Sequence, residues 1–308
     1  MGDAMKVVLA GGTGFLGQAL ASYLTQCGYE VCILTRGHAR IRDSIRYVHW
    51  NGRSLTGWED ELEGAYAIVN FAGKSVNCLY TKKNKREIIT SRIDSVQVID
   101  RAVLQLSVKP KVIVQAGSLA IFGNTAQVCD EHAAHGEGFS VQVCEMWEEA
   151  FFFKPIPEVR KVMLRIGFAL GRDGGALEPL MKLVRYGAGG TIGSGQQYIS
   201  WLHMDDLNGM FRYAIENDNA EGIYNATGVA PVTNKHFMAT LRSVMGRGWQ
   251  LPAPSPLVRI GAYVIMRADP ELALSGRNCL PARFVKEGFP FKHTELDRAL
   301  TDIVKESR

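Results

Sequence analysis

Residues 5–20 read MKVVLAGGTGFLGQAL, and this stretch decides the fold. A β-prone run, 7–10, leads into a loop holding Gly11, Gly12, Thr13, Gly14 and, after Phe15 and Leu16, Gly17. Residues 15–24 then carry apolar side chains at the spacing of an amphipathic helix. Strand, glycine turn and helix in that order suit a pyrophosphate. The glycines let the backbone turn tightly and approach the anion, and the positive end of the helix faces it. The spacing Gly-x-x-Gly-x-x-Gly is one residue longer than the commonest dinucleotide fingerprint, but the strand before it and the helix after it are both present.

The next strand, 30–34, ends where the adenosine ribose of a bound dinucleotide would lie. An acidic residue there accepts hydrogen bonds from the ribose hydroxyls. Here the chain reads ILTRGHAR over 33–40, with Thr35 and Arg36, and the next acid is Asp43. A guanidinium pairs with a 2′-phosphate that a carboxylate would repel. NADP(H) is therefore the expected cofactor, held by Gly11 to Gly17 with Thr35 and Arg36.

Further apolar runs at 67–71, 112–115 and 162–166 read as strands, and 82–106 repeats Ile88, Ile89, Ile93, Val96, Ile99, Val103 and Leu106 at helical steps. Strands alternating with helices predict an α/β fold, a Rossmann-type doubly wound parallel sheet with ligands at the carboxyl ends of its strands. The rhythm changes after about residue 171, where GRDGGALEP and YGAGGTIGSG bring many glycines, followed by SWLHMDDL and a strand at 222–226. Pro252, Pro254 and Pro256 mark a linker, and 257–308 reads as helices and turns. The expected organisation is an NADP-binding domain over 1–230, with 172–204 contributing to the substrate side, and a smaller substrate-side domain over 231–308.

Composition narrows the classes. The chain has 308 residues, 46% hydrophobic and 21% charged, with a net charge of +4. That balance gives no warrant for a nucleic-acid or membrane partner. The six cysteines form no C-x-x-C pair, so no metal site is expected, and free thiols suit a reducing, cytoplasmic setting. The apolar run before the first glycines is too short for a signal-peptide core, and no stretch is long enough to span a bilayer.

The motifs GGTGFLG (11–17), NFAG (70–73), SLAIFG (118–123), LRIGFALG (164–171), WLHMDDL (201–207) and GIYNATG (222–228) occur in one order. In that order they resemble the extended branch of the short-chain dehydrogenase/reductase superfamily. KREIITSR (85–92), VCEMWEEA (143–150), GTIGSGQQYISWLH (190–203) and the tail 275–300 resemble more narrowly an epimerase-like family with a C-terminal domain of unknown function. The resemblance implies cofactor contacts at Asn70, Phe71, Ala72 and Gly73, at Glu87 and Arg92 on the long helix, and at Phe168 beside the nicotinamide. It also implies a small-molecule substrate, with nucleotide sugars among the classes to consider. A homodimer is common among such relatives.

One departure from the superfamily bears on chemistry. The usual Tyr-x-x-x-Lys dyad is missing, because no tyrosine or lysine stands between Asn124 and Phe153. If Glu148 aligns with the usual helix glutamate, Ser140 and Cys144 take the dyad positions, and Phe122 replaces a frequent tyrosine. Ser118 remains as a hydrogen-bond donor to the reacting oxygen. Cys144 is the other catalytic candidate, although Glu145, Glu148 and Glu149 would raise its pKa. His203 and Asp205 are further acid–base candidates, in a motif that is chiefly structural in related proteins. The expected function is hydride transfer between NADP(H) and a carbonyl compound or nucleotide sugar. The rival reading is an NADP(H)-binding sensor or regulatory protein.

Overall fold

The computed structural model describes residues 5–172, 174–252, 269 and 274–305. In chain order its elements are β1 (Lys6–Ala10), α1 (Phe15–Gln26), β2 (Glu30–Thr35), β3 (Arg40–Arg42), β4 (Ile45–His49), β5 (Ala67–Asn70), α2 (Lys82–Val103), β6 (Val112–Ser118), β7 (Thr125–Cys129), α3 (Phe139–Phe152), β8 (Arg160–Ile166) and β9 (Phe168–Leu170). There follow α4 (Leu177–Arg185), β10 (Tyr198–Ile199), β11 (Trp201–His203), α5 (Met204–Glu216), β12 (Gly222–Ala226), β13 (Val232–Thr233), α6 (Asn234–Val244), β14 (Arg277–Cys279), α7 (Ala282–Lys286) and α8 (Leu296–Lys305). The central sheet has eight strands in the order β12-β8-β6-β5-β1-β2-β4-β3, and only β3 runs antiparallel to its neighbour. This is the Rossmann-type α/β sheet that the alternation predicts.

Strand periodicity explains the two layers of the core. Val7, Leu9, Val31 and Ile33 face a cluster with Leu20 and Leu24 of α1 and Leu207, Met210 and Phe211 of α5. Their alternate neighbours, Val8, Ala10, Cys32 and Leu34, face Val96, Ile99 and Val103 of α2 and Trp147 and Phe151 of α3. A strand buried on both faces reads as a continuous apolar run, as each of these does.

Two expected elements end earlier than their apolar runs. The strand expected over 67–71 stops at Asn70, whose side-chain oxygen accepts from the Ala72 N–H at 3.0 Å and turns the chain. The helix expected over 82–106 ends at Val103. Gln105 and Leu106 then bond the carbonyls of Ala102 and Val103 in a tightened turn, while Leu106 still packs on the core. The Thr81 hydroxyl caps the start of α2 by accepting from Asn84 N–H at 3.2 Å.

A third cluster joins α4, α6 and α8 through Leu177, Val184, Phe237, Leu241 and Leu300, with Trp201 buried among them. From the tail, β14 pairs with β7 and the Phe284 ring of α7 lies in the first core layer. Pro254, Pro256, most of the tail over 257–273, and Met1 to Ala4 lie outside the described residues.

Candidate functional site

The sheet order reverses between β1 and β5, which opens a crevice at their carboxyl ends. Both strands turn there. A Cβ on Gly11 (φ +72°) would stand 2.9 Å from Ala72 Cα, so two backbones meet where a side chain has no room. At Gly17 a Cβ would fall 2.5 Å from Gly12 Cα, which seats α1 against the loop. Gly14 is different, because nothing lies within 4 Å of its Cβ position. It heads α1 with no side-chain cap, and the first turn carries no acidic residue. The exposed Thr13 and Gly14 thus border an open, uncapped helix start, the requirement for a diphosphate. Phe15 faces the loop after β9, where Cβ atoms on Gly171 and Gly175 would lie 2.7 and 2.6 Å from its ring. Leu16 packs on the first core layer.

At the end of β2, Thr35 is buried and its hydroxyl accepts from the Gly37 N–H at 3.1 Å. Arg36 is exposed beside it, and Arg40 lies over the Tyr47 ring at 4.1 Å. The cradle and the free cation fit an adenosine carrier with an added phosphate.

The remaining nominated residues divide. Asn70 is buried, with its amide nitrogen donating to Ser95 Oγ (3.2 Å) and Gln115 Oε1 (2.9 Å) while its oxygen shapes the turn. Phe71 packs at a tilt against Phe211 with ring centres 5.1 Å apart, and Gly73 lies against the Arg92 guanidinium. Glu87 pairs with Lys74 at 2.5 Å, and that hydrogen bond holds its carboxyl below the ordinary range. Phe168 packs edge-on against Phe237, 5.7 Å away, in the third cluster.

Ser118, at the carboxyl end of β6, opens into a cavity of about 210 Å³. Its oxygen accepts from Ala120 N–H at 3.1 Å, and its own O–H has no acceptor among the described residues. The same cavity gathers Ser140 and Cys144 from α3. The Cys144 thiol is buried. Burial first, and then Glu148, push its thiol up to about 12. Arg165 clamps Glu148 in two 2.8 Å hydrogen bonds.

Sequence reading did not nominate Tyr80, Trp147, Ser275 or Arg277, which also line the cavity. Arg277 arrives because β14 pairs with β7 across some 150 residues of chain, a contact no local pattern announces. His203, Asp205 and His293 bring ligand-type atoms within 4.8 Å of one another. Each is engaged in tying elements together: His203 Nδ1 accepts from Asp205 N–H at 3.2 Å, and the two imidazoles stack at 3.7 Å.

A parallel sheet with a glycine cradle at its switch point and a cavity along the same edge defines a dinucleotide-dependent α/β protein. Sequence comparison agrees. Residues 7–141 match the NAD dependent epimerase/dehydratase family, and residues 253–303 match a domain of unknown function (DUF1731). The chain is 33% identical to the epimerase family protein YfhF of Bacillus subtilis, covering 99% of both chains. It is 32% identical to human epimerase family protein SDR39U1, over 97% of this chain and 100% of that one. The chain belongs to this epimerase family. A crystal structure of human SDR39U1 (isoform 2) with NADPH superposes with a TM-score of 0.86 at 29% identity, covering 98% of this chain and 99% of that one.

Proposed function

We propose that this protein is an NADP(H)-dependent oxidoreductase of the epimerase type, acting at a carbonyl or secondary-alcohol carbon of a small molecule. One observation carries the reading: the Ser118 O–H opens into a cavity on the same edge of the sheet as the glycine cradle. When bound, NADP(H) supplies or takes up a hydride. Gly11 to Gly17 hold its diphosphate, and Arg36 meets the 2′-phosphate. Ser118 donates to the substrate oxygen, stabilising the charge that grows there as the carbonyl is reduced. The aromatic rings of Tyr80, Phe139 and Trp147 in the cavity lining limit water around that oxygen. The NADPH bound by human SDR39U1 supports the cofactor choice. All six cysteines are free, which supports a reducing, cytoplasmic setting. Among the described residues no helix is long and apolar enough to cross a membrane.

NADPH oxidation followed at 340 nm against a panel of carbonyl compounds and nucleotide sugars tests the proposal. Ser118→Ala is expected to lower kcat about 100-fold while NADPH affinity stays unchanged. A second reading, a cofactor-binding sensor, is favoured by the lack of any tyrosine or lysine between Asn124 and Phe153. Tight NADPH binding without turnover of any panel member, together with a cofactor-dependent protein partner, would establish it instead.

A further inference from the structure

Reduction of a carbonyl needs a proton for its oxygen, and α3 offers neither phenol nor ammonium, because no tyrosine or lysine stands between Asn124 and Phe153. The fold brings a phenol from another direction. Tyr80, in the segment leading into α2, lines the same cavity as Ser118. Its ring packs edge-on against Phe139 at the start of α3, with ring centres 4.9 Å apart. Phe139 lines the cavity too, so this contact holds Tyr80 on the wall. At about 210 Å³ the space is below the roughly 300–1,000 Å³ of sites for larger ligands, so both hydroxyl-bearing walls lie within reach of one small carbonyl compound.

A phenol gives up its proton readily only where its ionised form is stabilised. Arg92 of α2 lines the same cavity. Its guanidinium lies over the Trp147 ring at 4.8 Å, and its Nη1 donates to the carbonyl oxygens of Lys74 (3.1 Å) and Ile88 (2.9 Å). Burial lowers the Arg92 pKa, and interaction with Cys144 and with Tyr80 opposes that fall. Such coupling is mutual: a guanidinium that gains from an ionised phenol stabilises the phenolate in return. With five N–H donors, Arg92 serves this role together with the cofactor contact that the family resemblance implies. The surrounding cations act in the same sense. Lys85 of α2 has its Nζ 4.7 Å from the centre of the Phe139 ring, and Arg277 of β14 lines the cavity with its Nε donating to Gly123 O at 3.0 Å. On α3, the Cys144 thiol is pushed up by burial, and Glu148 is held by Arg165.

We propose that Tyr80 is the proton donor of the reaction, paired with Arg92, and that Tyr80 and Ser118 hold the reacting oxygen between them. The proposal rests on the oxidoreductase reading above and adds its acid. As the carbonyl carbon takes a hydride from NADPH, which is oxidised to NADP⁺, the C=O π pair moves to oxygen and that oxygen takes the Tyr80 proton. The carbonyl is reduced to an alcohol, and the phenolate left beside Arg92 regains its proton from water.

The pair is tested without turnover. Ultraviolet difference titration of the wild type against Tyr80→Phe isolates this phenol among the ten tyrosines. In an Arg92→Gln background the same difference should show its pKa raised by about 1, and an unchanged value overturns the pairing. The acid role is read from NADPH oxidation at 340 nm against the carbonyl panel, benzaldehyde and glyceraldehyde included. Tyr80→Phe should lower kcat about 100-fold and leave NADPH affinity within about twofold. It should also remove the fall of kcat at high pH that ionisation of the phenol causes in the wild type. Turnover and pH profile unchanged in Tyr80→Phe overturn the proposal and leave the oxidoreductase reading standing. Should Arg92→Gln not fold, this profile carries the test. If the wild type reduces no member of the panel, the oxidoreductase reading fails and the acid role with it, while the titration still decides the pairing of Tyr80 with Arg92.

Discussion

Arg36 is exposed at the end of β2 and makes no hydrogen bond or ion pair among the described residues. The pairing of the neighbouring strands holds it beside the cradle. Arg36→Ala is expected to weaken NADPH binding about tenfold and NADH binding less than about twofold, measured by fluorescence titration. Equal losses would remove the 2′-phosphate from its role. The position of this residue was legible because it depends on local order alone, strand end followed by cation. Asn70 was legible only in part. NFAG marks a turn after β5, but the direction of the amide depends on Ser95 and Gln115, which lie far along the chain. Arg92 illustrates the limit further. On a helix rich in Lys and Arg only the family resemblance singles it out from sequence, and its place over the Trp147 ring and along the cavity belongs to the fold.

Between elements, Lys161 of β8 joins the sheet to two helices on one face. Its ammonium donates to Asp100 of α2 at 2.8 Å and to the carbonyls of Phe151 and Lys154 at the end of α3, at 2.7 and 3.0 Å. Only 7% of its side chain and 13% of that of Asp100 are exposed. Burial raises the Asp100 carboxyl, and the Lys161 hydrogen bond opposes that rise. Lys161→Met leaves a buried carboxylate and two carbonyls unmatched and should cost about 3–5 kcal/mol. Urea denaturation gives the measure, and Lys161→Met with Asp100→Leu should recover most of the loss. A lysine at the edge of an apolar strand reads from sequence as the point where the chain leaves the sheet. Here it stays inside because the carbonyl end of α3 needs donors.

At the scale of the whole molecule, a histidine–aspartate cluster joins the sheet domain to the tail. His203 precedes α5, with Nε2 3.8 Å from Asp302 of α8 and Nδ1 3.7 Å from Asp205. His293 Nε2 lies 3.6 Å from Asp205, and Asp206 accepts from the N–H groups of Lys292 and His293 at 2.8 and 3.0 Å. Burial first, and then His293, lower the His203 pKa, against the pull of Asp205, Asp302 and Asp206. The unfolded chain therefore binds this proton more readily than the folded one. His203 contributes to stability above its unfolded pKa near 6.5, and the contribution is lost progressively as pH falls below that value through the lower folded pKa. The melting temperature should fall from about pH 8 to about pH 5, and His203→Asn should flatten part of that slope. An unchanged slope would place the pH sensitivity in other groups. The sequence by itself determined the parallel sheet, the glycine cradle and the cation beside it, because each follows from strand and helix periodicity within a short span. Only the tertiary structure decided which residues share the cavity. Ser118, Arg92, Cys144 and Arg277 come from four separate elements, and they line one cavity only once the chain has folded and brought those elements together.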